Sequence, residues 1–333
     1  MVHAPGAHDL VDPFGRVVRD LRISVTDRCN FRCTYCMPEE GMQWIPRSEI
    51  LTFEEIERVA RICVERFGFE GIRLTGGEPT VRHNIATLVA KLSGLGVDLA
   101  MTTNGATLRH IADDLRQAGL ERLNISLDSL DRAKFERMTR RDELDNVLAG
   151  IEAAQVAGFA PVKINAVVER GVNDDEIVSL ARFGREHALE VRFIEFMPLD
   201  ASDAWQRAQV VGQDEIVATI AAEWPLEQVP ARGAAPADRW RYVDGAGVVG
   251  VIPTVTKPFC GDCDRVRLTA DGQFRTCLFA TDEFDLRELL RNGASDADIE
   301  ACIEAAVGSK WAGHQINQVN FIRPTRSMSQ IGG

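Results

Sequence analysis

Between about residues 20 and 197 short apolar stretches alternate with longer amphipathic ones. The stretches at 21–26, 71–75, 98–103, 122–128, 162–168 and 190–196 predict strands. Apolar positions at helical spacing predict helices over 53–67, 85–95, 108–118, 145–157 and 174–187. Thr52, followed by Glu55, has the form of an N-cap with a capping box, and Asp174 is a second predicted N-cap. Strands alternating with helices predict a parallel sheet with crossover connections. Six such units predict an α/β protein with an incomplete (βα)6, TIM-like barrel in place of the full eight.

The strand parity carries further information. Ile23, Val25, Ile72, Leu74, Leu123, Ile125, Leu127, Val162 and Ile164 share one parity and are apolar. The opposite parity reads Arg22, Ser24, Thr26, Arg73, Thr75, Thr102, Asn124, Ser126, Asp128, Lys163 and Asn165. Side chains alternate across a strand, so this second set faces the other side. A packed barrel fills its lumen with branched aliphatic residues, whereas this one lines it with hydroxyls, amides and cations. Unpaired buried charge is costly, so the lumen is expected to hold water and a polar, anionic ligand. The sixth strand fits poorly: Arg192 matches the polar set, Ile194 and Phe196 do not, and Glu195 falls on the other parity.

Beyond residue 197 a helix is expected at 213–223, a loop at 230–238 and a β-rich segment at 240–256 with a hairpin turn at Asp244-Gly245. Two short helices are expected at 286–291 and 296–306. The expected division is a partial barrel over 15–212 and a C-terminal region over 213–333.

Composition narrows the class. The chain has 333 residues, 45% of them apolar, enough for a large core. No apolar run approaches the roughly 20 residues that span a bilayer, and residues 1–16 lack the apolar core of a signal peptide. A cytoplasmic location without membrane partners is expected. A net charge of −12 argues against a nucleic-acid partner.

Six of the eight cysteines form two clusters. Cys29, Cys33 and Cys36 have C-x3-C-x2-C spacing directly after the first strand, at the rim where barrel active sites lie. Three thiolates this close can hold a four-iron cluster with one iron left open; the alternative is a zinc site with a distant fourth ligand. Cys260, Cys263 and Cys277 follow C-x2-C-x13-C spacing. They fit a structural zinc site completed by Cys302 or His314, or a second open iron–sulfur cluster. Arg265 and Arg267 favour the cluster: on an extended segment they share a face, and with Arg22, Arg73, Lys163 and Arg192 they can surround a polyphosphate. Cys63 and Cys302 read as buried small hydrophobes.

The first cysteine motif, followed by Thr75-Gly76-Gly77-Glu78-Pro79 after the second strand, resembles the radical S-adenosylmethionine superfamily. Within it the chain is similar to the GTP 3′,8-cyclases of molybdenum cofactor biosynthesis from about Gly15 to Gly333. The specific marks are the runs 20–29, 102–105, 124–128 and 259–268 and the tail Met328-Ser329-Gln330-Ile331-Gly332-Gly333. The resemblance implies two [4Fe-4S] clusters, one in the barrel and one in the C-terminal extension, with S-adenosyl-L-methionine as cofactor and GTP as substrate. It implies that Cys29, Cys33, Cys36, Cys260, Cys263 and Cys277 are the metal ligands. Tyr35, Gly77, Ser126 and Met197 would contact S-adenosylmethionine, and Arg22, Arg73, Thr102, Lys163, Arg265, Val266 and Arg267 would contact GTP. Cys29, Cys33, Cys36, Arg265 and Arg267 would act in catalysis, Arg192 would serve the tail or the substrate, and the Gly-Gly tail would reach the active site. The implied reaction makes (8S)-3′,8-cyclo-7,8-dihydroguanosine 5′-triphosphate, the first step of molybdenum cofactor biosynthesis. An external electron donor, the next enzyme (cyclic pyranopterin monophosphate synthase) and a homodimer are the further family expectations. Lys310-Trp311-Ala312-Gly313-His314 departs from the Lys-Pro-x-x-His expected there. The competing readings are a radical peptide-modifying enzyme with an auxiliary cluster and a zinc-binding interaction module.

Overall fold

The computed structural model describes residues 9–199, 205–230, 233–319 and 321–332. Gly333 and part of the 230–238 loop lie outside the described residues. The six expected strands form: β1 (Asp20–Ser24), β2 (Gly71–Thr75), β3 (Asp98–Thr103), β4 (Arg122–Ser126), β5 (Lys163–Val168) and β6 (Glu190–Glu195). They pair in parallel, each with the next.

The C-terminal segment extends the same sheet on both flanks. Beyond β6 lie β7 (Leu226–Val229), β8 (Asp238–Tyr242) and β9 (Val248–Ile252), with β9 parallel to β6 and the hairpin expected at Asp244-Gly245 between β8 and β9. Beyond β1 lie β10 (Arg265–Leu268), β11 (Gln273–Arg275) and β12 (Phe284–Asp285), with β10 parallel to β1. The sheet has twelve strands, and its two end strands, β12 and β7, do not pair, so the barrel is open.

The apolar parity packs outward against the helices. Ile23, Ile72, Leu74, Leu123, Ile125 and Ile164 are all buried in one core with Ile56, Val59 and Phe67 of the helix Phe53–Phe67. That helix starts where expected: Thr52 accepts from Glu55 N while the Glu55 side chain accepts from Thr52 N. Asp174 does not cap its helix. The segment opens as a 3-10 turn over Asp174–Glu176 and becomes α-helical over Ile177–Glu186. Asp174 Oδ1 instead accepts from Gly171 N, while the Asn173 amide is spent on the carbonyls of Asp128 and Val167. The helix expected at 108–118 likewise breaks into a 3-10 turn, Leu108–His110, and a helix, Ala112–Gln117. One helix escaped the apolar pattern: Arg132–Thr139, capped by Asp131, buries Phe135, Met138 and Thr139 but carries few other apolar residues.

The misfit of the sixth strand has a physical cause. Glu195 is fully buried on the outer side, where its carboxylate accepts from Gln213 N, Val255 N, Thr256 N and Thr256 Oγ1. It ties β6 to the chain leaving β9.

Candidate active site

The polar parity opens on a cavity of about 300 Å³ at the C-terminal rim of β1–β6. All six clustered cysteines line it, as do Tyr35, Gly77, Thr102, Ser126, Asp128, Met197, His314 and the five arginines Arg22, Arg73, Arg192, Arg265 and Arg267. Two expected contacts lie elsewhere. Lys163 is half-buried on β5 below the cavity, and the Val266 side chain is buried in the core, so Val266 can offer a ligand only its main chain.

The first cysteine loop leaves β1 and is pinned from several sides. Arg32 N and Thr34 N donate to the carbonyls of Thr139 and Met138, at the end of the helix that the apolar pattern missed. Arg140 Nη1 donates to the carbonyls of Arg32 and Met37. Asn104 Nδ2 reaches Cys29 Sγ at 3.8 Å and Asn30 Oδ1 at 2.7 Å. Burial pushes the Cys29 thiol up to about 11 and Cys36 to about 12, and holds Cys33 well above its ordinary value. These thiols would lose their protons on binding a metal centre, which stabilises the thiolate and releases the proton to solvent.

Gly76-Gly77 brings the end of β2 against this loop. Gly77 N donates to Thr26 O at 2.7 Å, and a Cβ at Gly77 would collide with the carbonyls of Asp27 and Arg28. Glu78 is buried and accepts from Thr80, Thr103 Oγ1 and Asn104 N, which fixes the end of β2 to the end of β3. Tyr35 donates its hydroxyl to Asp128 Oδ2 at 2.6 Å, and Val167 N donates to Asp128 Oδ1. Burial lifts the Asp128 carboxyl to about 6. Asn104 and Asp128 belong to sequence marks of the resemblance, but no spacing signal predicted their contacts with Cys29 and Tyr35.

The second trio lines the same cavity as the first. Cys260 sits on a 3-10 turn, Cys260–Asp262, Cys263 directly before β10, and Cys277 after β11. Burial would raise the Cys263 thiol, but the positive charges of Arg265 and Lys310 outweigh it and hold the thiol below its ordinary value. His314 packs 5.3 Å from Phe279, and its Nδ1 is buried without a hydrogen-bond partner. Among the described residues no group of His, Cys, Asp or Glu gathers as one metal ion requires. A cubane binds its thiolates through different irons and so needs a wider spread, and each trio offers only sulfur donors, the set that suits iron–sulfur clusters.

The same cavity carries concentrated positive charge. Arg22 and Arg267 are paired across β1 and β10, and Arg22 and Arg73 across β1 and β2. Burial, then the neighbouring Arg22, draws Arg73 and Arg267 each down to about 9. Arg22 Nε and both Nε and Nη1 of Arg73 are buried without hydrogen-bond partners, as are Asn124 Oδ1 and Asn165 Oδ1. Arg192 differs: it pairs with Glu190 at 2.6 Å. Buried donors left open toward a cavity fit an anionic, multiply hydrogen-bonding ligand.

The tail reaches this charge. A short helix, Met328–Ile331, ends at Gly332, whose carbonyl accepts from Arg267 Nη1. The main-chain N–H of Ser329 bonds Cys36. Among the described residues the cation holding the tail is Arg267; Arg192 makes no such bond.

Residues 23–184 match the Radical SAM superfamily, and residues 189–316 match Molybdenum Cofactor Synthesis C. A GTP 3′,8-cyclase of Mycolicibacterium smegmatis is 50% identical over 99% of this chain and 93% of that relative. One from Streptomyces coelicolor is 48% identical over 98% of this chain and 97% of its own length. Among solved structures, Streptococcus suis SuiB bound to S-adenosylmethionine superposes with a TM-score of 0.61 at 13% identity, covering 84% of this chain and 67% of SuiB. Methylornithine synthase (PylB) gives 0.55 at 19% identity, covering 86% of each chain. These last two share the fold. With half its residues identical to such relatives along almost its whole length, the chain belongs to the GTP 3′,8-cyclase family of radical S-adenosylmethionine enzymes.

Proposed function

We propose that this protein converts GTP to (8S)-3′,8-cyclo-7,8-dihydroguanosine 5′-triphosphate, the first step of molybdenum cofactor biosynthesis. The observation that carries the reading is the set of unpaired guanidinium donors, Arg22 Nε and Arg73 Nε and Nη1, on residues of the one cavity that both cysteine trios line. Cys29, Cys33 and Cys36 would hold the cluster that binds S-adenosylmethionine, and Cys260, Cys263 and Cys277 the second cluster. When bound, the first cluster with S-adenosylmethionine supplies a 5′-deoxyadenosyl radical for the ribose C3′ hydrogen, and the second supplies an open iron for guanine.

The chain's own residues bind, orient and shield. Gly77 lets the main chain approach the amino acid end of S-adenosylmethionine, with Tyr35, Ser126 and Met197 around the rest of it. Arg22, Arg73, Arg265 and Arg267 grip the triphosphate through planar forks of donors, with Thr102, Lys163 and the main chain of Val266 beside them. Arg265 and Arg267 lie two and four residues after Cys263, so the grip on the triphosphate is tied to the second trio through one short stretch of chain. Fixing the ribose and excluding water together favour one C–H bond over stray ones.

An external one-electron donor, cyclic pyranopterin monophosphate synthase as the next enzyme, and a homodimer complete the proposal. A peptide-modifying role would call for an open channel and not a ring of guanidiniums. Anaerobic incubation with GTP, S-adenosylmethionine and dithionite tests the choice. 5′-Deoxyadenosine should form in proportion to GTP consumed; turnover with peptides and none with GTP would reverse it.

A further inference from the structure

We propose that Arg16 is a positioning residue for the second cysteine trio: it holds the Cys260 turn where an iron–sulfur cluster can form. Arg16 does not line the cavity, so it acts through the chain it holds. Its side chain is 8% exposed, and that of its partner Asp12 is fully buried. Asp12 Oδ1 accepts from Phe14 N and Arg16 N, closing a tight turn, and Asp12 Oδ2 accepts from Arg16 Nε at 2.5 Å. This aims the rest of the guanidinium away from the turn. Nη1 donates to Cys260 O at 2.5 Å and to Ala312 O at 2.8 Å, and Nη2 donates to Trp311 O at 2.6 Å. One fork thereby joins two segments remote in sequence, the turn that carries the proposed ligand Cys260 and the pair Trp311–Ala312.

The segment Lys310–His314 grips the same turn from its other side. A Cβ at Gly313 would lie 2.8 Å from Cys260 Cβ and 3.3 Å from its Sγ. The main-chain N–H of His314 bonds the Cys260 sulfur. Lys310, buried, donates Nζ to Arg265 O at 2.6 Å, one residue into β10. Cys260 is thus fixed at its carbonyl by Arg16 and at its sulfur by His314, which closely follows Trp311 and Ala312, whose carbonyls Arg16 also holds. Without Arg16, the carbonyls of Cys260, Trp311 and Ala312 lose a charged donor, the first and second of them partly buried, and the two segments lose their common tie. Lysine offers one point charge in place of the planar fork and cannot span the same three oxygens from one aligned plane.

The inference rests on the reading that the second trio binds a cluster, and the test separates the two. Wild type, Arg16→Ala and Arg16→Lys are reconstituted anaerobically, iron and labile sulfide are counted, and the dithionite-reduced clusters are observed by electron paramagnetic resonance. Wild type should hold about eight irons per chain and Arg16→Ala about four, with the first cluster's signal retained as the internal mark of an intact fold. Arg16→Lys should also lose the second cluster selectively. About four irons in wild type would defeat the two-cluster reading itself. About eight irons in wild type and in Arg16→Ala, with unchanged spectra, would overturn the role of Arg16. If Arg16→Ala loses both clusters together, Arg16→Lys decides: selective loss sustains the proposal, while retention of both clusters or loss of both overturns it.

Discussion

Arg22 of β1 and Arg267 of β10 occupy paired positions across a parallel ladder, one half-buried and one buried arginine. The nearest carboxylate oxygen to Arg22, Asp20 Oδ1, is 3.8 Å from its Nε, beyond hydrogen-bond reach. Like charges at paired positions destabilise a sheet, and a charge buried without partners costs more. The fold tolerates both where a triphosphate would repay them.

That arrangement predicts a trade between stability and binding. Arg22→Met keeps the length of the side chain and removes the charge. The thermal midpoint should rise, because burial and the neighbouring Arg265 already disfavour the Arg22 charge. GTP affinity should fall, since a charge-assisted hydrogen bond is worth about 1.5–3 kcal/mol, about 10- to 100-fold in Kd. Differential scanning fluorimetry and calorimetric GTP binding check both; a lower midpoint with unchanged affinity would contradict the assignment.

The tail offers a sharper steric test. Gly332 has φ of 85°, a left-handed conformation, and a Cβ there would lie 2.9 Å from Ser24 Cβ and 3.0 Å from Thr75 Cγ2. Gly332→Ala must therefore move the carbonyl that Arg267 holds. Product formation should drop by at least about 10-fold, the effect of losing one charged hydrogen bond. Both clusters should remain at wild-type iron content. Wild-type turnover by this variant would mean that the tail's packed position is irrelevant to the reaction.

The barrel and its polar lumen could be read from the sequence because strand alternation writes each face into every second residue, as Arg22, Arg73 and Asn124 show against Ile23, Leu74 and Ile125. The six clustered cysteines announced themselves by spacing alone. β10 did not: its four residues, Arg265–Leu268, alternate cation and aliphatic too briefly for a strand signal, and its partner β1 lies more than 200 residues earlier. Glu195 misled the parity because the donors that satisfy it come from 213 and 255–256, on another segment. The Arg16 fork was hidden because its partners are backbone carbonyls, which carry no residue identity in sequence. The helix Arg132–Thr139 was hidden because few of its residues are apolar.

The proposed GTP contact of Lys163, which lies outside the cavity lining, predicts that binding depends on pH. Burial, with Arg192 beside it, lowers its ammonium to about 8 in the free protein. Between about 8 and the ordinary lysine value near 10.4, the unfolded chain binds the proton that the folded one lacks, so this group's contribution to stability rises with pH there. Binding runs the other way. A triphosphate favours the charged form, so GTP should bind with proton uptake near pH 8, and its affinity should fall as pH rises further. Calorimetry at about pH 8 in two buffers of different ionisation enthalpy measures the uptake, at a pH chosen below the value near 9 of Arg73. Lys163→Met should abolish it, and an unchanged proton count would remove Lys163 from the binding site.

Glu195 gives a prediction about the frame and not the chemistry. Its carboxylate accepts from three main-chain N–H groups and one hydroxyl, and all of them approach as donors. Glu195→Gln keeps the shape but replaces one acceptor oxygen with an NH2 group, which must face donors in a site without water access. The loss should be about 1–3 kcal/mol, read as a lower urea midpoint of the reconstituted protein. Glu195→Ala should cost more, because all of those donors are then left buried without partners. The second trio depends on this frame, since the chain passes from Val255 and Thr256 to Cys260 within a few residues. Iron bound at the second trio should therefore be lost at a lower urea concentration than iron bound at the first in both variants. Equal loss from the two trios would show that Glu195 stabilises the barrel as a whole and not the approach to Cys260.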